Sequence, residues 1–137
     1  MFEVVYCSRT GNTKMIADEI ASELKVTAEP VKTKEGLSKG SFVFLGSDCY
    51  FTGYSRKLKK FITGNDFSGR KVALFGTSAT DHGNELETLN KTVAARGAIV
   101  MGKFNCRGRF LGVFNRNHPT QQELILARRF AHDVSQS

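Results

Sequence analysis

Five short apolar runs with amphipathic stretches between them constrain the fold of this chain more than any other feature. The runs lie at 2–7, 26–31, 41–47, 71–77 and 98–106, and the first, third and fourth are apolar without alternation. A strand of that kind is buried on both faces, as happens when helices cover both sides of a parallel sheet. The pattern therefore predicts an α/β fold of three layers with a five-stranded parallel sheet in the middle.

The segments between and after these runs carry apolar residues at helical spacing, which predicts helices at 13–25, 55–62, 84–97 and 120–134. Gly97 is placed to end the third helix, because glycine accepts the left-handed conformation common after a last turn. Thr120 and Glu123 have the spacing of a capping box at the start of the final helix. Pro30 suits the end of the weak run at 26–31, or an edge strand.

The chain of 137 residues is predicted to be one domain, 1–137, since no repeat, linker or low-complexity segment interrupts the pattern. No window approaches the roughly 20 apolar residues needed to cross a bilayer. The amino terminus runs directly into a strand without a signal-peptide pattern, which predicts a cytoplasmic protein. Three widely spaced cysteines, Cys7, Cys49 and Cys106, argue against disulfides and against a zinc site, so we predict no metal.

Charge is distributed unevenly along the chain, whose formal net charge is +7. Residues 1–55 hold six basic and seven acidic side chains, whereas residues 56–137 hold fourteen basic and six acidic ones. Such asymmetry bears on partners rather than on the fold. An anionic ligand, an acidic protein surface or a nucleic acid would each answer it.

Three loops follow the carboxyl ends of apolar strands: "SRTGNT" at 8–13, "SDCYFTGYS" at 47–55 and "TSATDHG" at 77–83. In open parallel sheets, ligands bind beyond the carboxyl ends of the strands, where the strand order reverses. We therefore expect the three loops to converge on one crevice.

The first loop has the composition of an anion cradle. Ser8, Thr10, Asn12 and Thr13 can donate hydrogen bonds, and Gly11 permits a backbone conformation closed to other residues. The helix that follows directs its positive end at the same place. The loop lacks the lysine of a nucleoside-triphosphate loop and the three glycines of a dinucleotide fingerprint. Arg9 either contacts the anion or points to solvent, and the sequence leaves both open.

The loop "SRTGNT" resembles the phosphate loop of the flavodoxins, which is usually written [ST]-x-T-G-x-T. The loop "GSDCYFTG" after the third run and the order of the elements extend this resemblance to the short-chain flavodoxins over nearly the whole chain. The resemblance implies a flavodoxin-like fold with strand order 2-1-3-4-5, a bound FMN, and electron transfer to an oxidoreductase partner.

The same resemblance implies a set of cofactor-binding residues in each loop. The FMN phosphate would be wrapped by Ser8, Arg9, Thr10, Gly11, Asn12 and Thr13. One face or edge of the isoalloxazine ring would be flanked by Cys49, Tyr50, Phe51, Thr52 and Gly53, with Tyr50 preferred for stacking because aromatic rings stack well on a flat apolar ring. The pyrimidine end would lie near Thr77, Ser78, Ala79, Thr80, Asp81, His82 and Gly83.

One departure from the resemblance concerns charge, because most flavodoxins are strongly acidic and this chain is basic. Docking by complementary charge would then require an acidic redox protein as partner. We predict that this chain itself is a monomer or a weak dimer. The run "RKLKK" at 56–60 is either a solvated helix face or a docking patch together with Arg107, Arg109 and Arg116.

Two other functions remain open at this point. Apart from His82, the third loop has no aromatic residue to cover the second ring face, which is then either open or covered by the segment 104–114. An open face would suit a small FMN-dependent reductase acting on an anionic or planar substrate. A non-catalytic anion or nucleic-acid binder would use the basic half, but no groove-reading helix or RNA-stacking signature accompanies it.

Overall fold

The computed structural model describes residues 1–8, 11–49, 56–78, 84–107 and 120–137. Strands and helices alternate along these ranges in the order β1 (Phe2–Cys7), α1 (Asn12–Leu24), β2 (Ala28–Pro30), β3 (Phe42–Cys49), α2 (Arg56–Thr63), β4 (Lys71–Ser78), α3 (Asn84–Ala95), β5 (Ile99–Arg107) and α4 (Gln121–Ser135). No helix in these ranges has the length and apolar character to cross a membrane.

The five strands form one sheet in the order β2-β1-β3-β4-β5, and every neighbouring pair is parallel. This arrangement confirms the predicted fold and strand order. The chain passes from β1 through α1 to β2 on one side of β1, and then crosses to β3 on its other side. The strand order therefore reverses between β1 and β3, and the ligand crevice of such a sheet lies beyond their carboxyl ends.

Two apolar layers enclose the sheet. On one face, Leu58 and Ile62 of α2 and Leu89 of α3 pack against the strands. On the other face, α1 and α4 cover a cluster that includes Phe44 and Phe75, both fully buried. Burying apolar side chains of this size stabilises a fold by about 1.5–3 kcal/mol each, so the two layers supply most of the driving force.

A buried ion pair closes the amino-terminal edge of the sheet. Glu3 accepts hydrogen bonds from Lys34 Nζ at 2.7 Å, from the Ser38 amide at 3.0 Å and from the Ser41 hydroxyl at 2.5 Å. Burial raises the pKa of Glu3, but the hydrogen bonds from Lys34, Ser41 and Ser38 outweigh it and leave the pKa below its ordinary value. The network joins β1 to the segment before β3, at the edge opposite the predicted crevice.

Most predicted element boundaries agree with the structure, and two local predictions are confirmed. Pro30 ends β2, an edge strand, and the Thr120 side chain accepts from the Glu123 amide while Glu123 accepts from the Thr120 amide. The third strand is longer than predicted. It runs to Cys49, which moves Asp48 from the predicted loop into the sheet.

Candidate functional site

The carboxyl ends of four strands lie along one edge of the sheet. Cys7 of β1 pairs with Ser47 of β3, and the last residues of β3 and β4, Cys49 and Ser78, pair with each other. Ser78 also pairs with Arg107 at the end of β5. The segments that follow these strands therefore all begin at the same edge, as the sequence predicts for a common crevice.

The turn between β1 and α1 depends on Gly11. This residue has φ 91° and ψ −7°, in the left-handed region that favours glycine. Its amide donates to the Ser8 hydroxyl oxygen at 3.0 Å, and its carbonyl accepts from the Met15 amide at 3.1 Å. Apart from its chain neighbours, no described residue has an atom within 4 Å of a Cβ built on Gly11. The turn is thus held by local hydrogen bonds, and the described residues leave room beside Gly11.

The first turn of α1 has the electrostatics of an anion site. Gly11 occupies the capping position and has no side chain to accept from the helix amides, and the first turn contains no acidic residue. The first N–H groups of a helix have no partner within the helix and carry a partial positive charge. Several acceptor oxygens on one anion can satisfy them together.

Three buried polar side chains meet beneath this turn. The Thr13 hydroxyl donates to Asp48 Oδ1, the Thr77 hydroxyl donates to the same oxygen at 3.2 Å, and the two threonine oxygens are 2.8 Å apart. Thr13, Asp48 and Thr77 are 0%, 5% and 3% exposed. The cluster joins the start of α1 to the carboxyl ends of β3 and β4.

Asp48 is the residue of this site that the sequence analysis missed, because the predicted strand ended at Ser47. The available signal was an acidic residue directly after an uninterrupted apolar run. Its position changes the expectation for Thr13, whose hydroxyl faces Asp48 in the structure rather than the open side of the turn. Donation from that hydroxyl to a phosphate stays a prediction.

The structure places part of the predicted site. Ser8, Gly11, Asn12, Thr13 and Thr77 lie at the carboxyl edge, and Cys49 and Ser78 are the last residues of adjacent strands. The remaining predicted residues lie outside the described ranges: Arg9, Thr10, Tyr50, Phe51, Thr52, Gly53, Ala79, Thr80, Asp81, His82 and Gly83. Ring stacking by Tyr50 and the position of His82 near the pyrimidine end of the ring therefore stay predictions.

Comparisons with known proteins agree on one family. A family model described as a flavodoxin domain matches residues 3–114. The chain is 23% identical over 134 residues to an uncharacterised protein of Methanocaldococcus jannaschii, covering 90% of this chain and 89% of that protein. It is 26% identical over 122 residues to a flavodoxin of Megasphaera elsdenii, covering 74% of this chain and 82% of that protein.

Solved structures give the same result for the fold. A flavodoxin from the domain Archaea superposes with a TM-score of 0.79, covering 98% of this chain and 96% of that chain at 19% sequence identity. At that identity the likeness concerns the fold alone. The family match, in contrast, extends over residues 3–114 and so includes both the turn before α1 and the end of β3.

Proposed function

The chain belongs to the flavodoxin family, and from this membership we propose that it binds FMN at the carboxyl edge of the sheet and transfers electrons to and from a redox partner. FMN consists of a flat flavin ring joined by a ribityl chain to a phosphate dianion. The family relationship supports a flavin cofactor, and the resemblance of "SRTGNT" to the phosphate loop assigns its phosphate end.

The observation that carries the proposal is the open turn at Gly11. Gly11 has a left-handed backbone conformation and precedes the start of α1, which has no side-chain cap. Apart from its chain neighbours, no described residue has an atom within 4 Å of a Cβ built on Gly11. A phosphate dianion matches both the shape and the sign of this position.

Under this proposal, each group of residues has a distinct task. The amides at the start of α1 bind the phosphate, and the Ser8 hydroxyl, which accepts from Gly11, retains its own proton for donation to the anion. Cys49 and Ser78 are the last residues of the strands that precede the two loops predicted to flank the ring. The flavin, once bound, supplies the redox chemistry, while the protein supplies orientation and electrostatics.

A binding titration with two ligands tests the proposal. Purified protein freed of cofactor would be titrated with FMN and, separately, with riboflavin, which has the same ring and no phosphate. We expect the fluorescence of both flavins to be quenched when they bind the protein. FMN should bind at least about 100-fold more tightly, because several charge-assisted hydrogen bonds to its phosphate contribute a difference in affinity of that size. Equal affinity for the two ligands, or no binding, would refute the assignment of the phosphate loop.

Stepwise reduction of the FMN-loaded protein then separates the carrier from the reductase. A carrier is expected to take up electrons at two separate potentials and to leave NADH and NADPH unconsumed. Steady oxidation of either nicotinamide by the loaded protein would instead favour the reductase.

A further inference from the structure

Helix α2 has an unusual distribution of charge. Its eight residues, Arg56–Thr63, include four basic side chains and no acidic one. Leu58 and Ile62 are fully buried and anchor the helix on the sheet. The basic residues are all exposed, and together they form what we call the α2 basic face: Arg56, Lys57, Lys59 and Lys60.

This arrangement works against the stability of the helix. Arg56 lies three and four residues before Lys59 and Lys60, which places like charges next to one another on the helix surface. Arg56 and Lys57 also occupy the first turn, where the helix dipole disfavours positive charge, and no acidic residue is present there to offset them. Lys60 lies in the last turn, where the dipole favours a positive charge, so the unfavourable features are the basic first turn and the neighbouring like charges. Departures of this kind from local stability occur at functional surfaces.

On the opposite face of the sheet, two basic residues form ion pairs with carboxylates. Between α1 and α4, Arg128 lies 3.1 Å from Glu19, and within α1, Lys14 lies 2.8 Å from Asp18. In contrast, Arg56, Lys59 and Lys60 make no ion pair with any residue that the structure describes. The charges of Arg56, Lys59 and Lys60 are therefore available to a partner.

Topology places α2 beside the cofactor edge. The helix connects β3 to β4, and these strands are parallel neighbours. A connection of that kind must return from the carboxyl edge of the sheet to the amino edge, so α2 begins near the carboxyl edge and runs away from it. Arg56 directly follows the predicted loop at 47–55, of which residues 49–53 are predicted to flank the flavin ring.

We propose, resting on the proposed electron-transfer function, that the α2 basic face docks an acidic electron-transfer protein against the flavin edge. In each encounter one electron leaves the reduced partner, which is oxidised, and enters the FMN-loaded protein, with solvent supplying any proton taken up. Complementary charge steers such encounters and raises their rate. A nucleic acid would bind the same charges, but nothing in electron transfer would place its site beside the redox centre.

Electron transfer from an acidic probe protein tests the proposal. A reduced plant-type [2Fe–2S] ferredoxin of low isoelectric point would be mixed with the FMN-loaded protein in a stopped-flow instrument at low and high salt. The test variant is Lys59→Glu/Lys60→Glu. The control variant is Lys25→Glu/Arg129→Glu, which makes the same change in net charge at exposed positions just after α1 and on α4, the helices on the face of the sheet opposite α2.

We expect the second-order rate constant at low salt to fall at least about ten-fold in the test variant and less than two-fold in the control. High salt should remove most of the difference. With a basic c-type cytochrome as electron acceptor from the reduced protein, the test variant should instead react faster than the native chain. The neutral variant Lys59→Gln/Lys60→Gln should lie between the native chain and the test variant in both assays.

Several results would overturn the proposal. Equal rate losses in the two double variants would indicate net charge alone, and unchanged rates would remove the docking surface. A larger effect of the test variant on retention of a mixed-sequence RNA than on the ferredoxin reaction would assign the face to nucleic acid. Calorimetric binding of oxidised ferredoxin needs no flavin, so failure of the docking proposal is distinguishable from failure of FMN binding.

Discussion

The Thr13 hydroxyl donates a hydrogen bond to the carboxylate of Asp48, which lies 35 residues further along the chain. Thr13 belongs to the first turn of α1 and Asp48 to the end of β3, so this bond joins the predicted phosphate loop to the strand that precedes the predicted ring loop. Thr77 adds the end of β4 through its own hydroxyl. One buried carboxylate thus joins the start of α1 to the ends of β3 and β4, the elements that border the three predicted loops.

Asp48→Ala should destabilise the fold and weaken FMN binding. The change leaves the buried hydroxyls of Thr13 and Thr77 without this acceptor, which costs about 1–3 kcal/mol. Asp48→Asn keeps one acceptor oxygen and should therefore lose less stability and less affinity for FMN. Urea unfolding and an FMN titration of both variants measure the two effects, with Thr77→Ser, which retains the hydroxyl, as the control. An unfolding midpoint unchanged in Asp48→Ala would contradict the role assigned to this carboxylate.

Gly11→Ala should weaken FMN binding through the backbone alone. At φ 91° an L-residue is strained, at a cost of about 1–2 kcal/mol, whereas the added methyl group would meet no atom of the described residues within 4 Å, chain neighbours aside. The matched control is Gly40→Ala, where φ is 73° and the space is equally open, but which precedes β3 at the opposite edge of the sheet.

Urea unfolding should show a similar decrease in the free energy of unfolding for both glycine variants. Their affinities for FMN should differ. We expect Gly11→Ala to raise the dissociation constant for FMN at least about ten-fold, corresponding to about 1.4 kcal/mol, and Gly40→Ala to leave it unchanged. Parallel losses of FMN affinity in the two variants would show that general destabilisation, and not the shape of the turn, controls binding.

The sheet and its layers could be predicted from the sequence because their signals are local. Continuous apolar strands require cover on both faces, and Thr120 and Glu123 form a capping box within three residues of each other. The end of β3 could not be predicted in the same way. The carboxylate of Asp48 accepts hydrogen bonds in the sheet from Thr13 and Thr77, which come from distant parts of the chain.

The same argument explains which part of the site the sequence predicts well. The turn at Gly11 follows from residues 8–13 alone, since glycine, small side chains and a following helix are sufficient to specify it. The Thr13 hydroxyl is directed at Asp48, an acceptor 35 residues further along the chain that no local sequence pattern contains. A local motif therefore predicts where the turn lies, whereas the orientation of its side chains depends on non-local hydrogen bonds of this kind.

Glu3→Gln should destabilise the protein at neutral pH and much less in acid. The pKa of Glu3 lies below its ordinary value of 4.5, with burial opposing and hydrogen bonds from Lys34, Ser41 and Ser38 producing the net decrease. A lowered carboxyl pKa contributes stability that is fully present above the ordinary value and is lost as the pH falls through the lowered value. The difference between native chain and variant should therefore shrink below about pH 4.5.

Free energies of unfolding between pH 7 and pH 3 check this expectation, with a difference of about 1–3 kcal/mol predicted at neutral pH. Glu35→Gln is the control, since Glu35 is exposed and makes no ion pair with any part of the chain that the structure describes. A difference between Glu3→Gln and the native chain that stays constant over this range would indicate a role for the side chain other than its charge.

The net charge of +7 should make the lower of the two flavin reduction potentials less negative than in acidic flavodoxins. Full reduction adds negative charge to the ring, so positive potential from the protein favours it. Reversing exposed charges on α2 should change the potential by on the order of tens of millivolts in dilute buffer, and salt should reduce the effect. Spectroelectrochemical titration of the native chain and of Lys59→Glu/Lys60→Glu measures the lower potential and its change on charge reversal.

The variant should have the more negative potential at low salt and approach the native value as salt rises, because exposed charges act through water. Identical potentials at low salt would show that groups in direct contact with the ring, rather than the charge of the surface, set the potential.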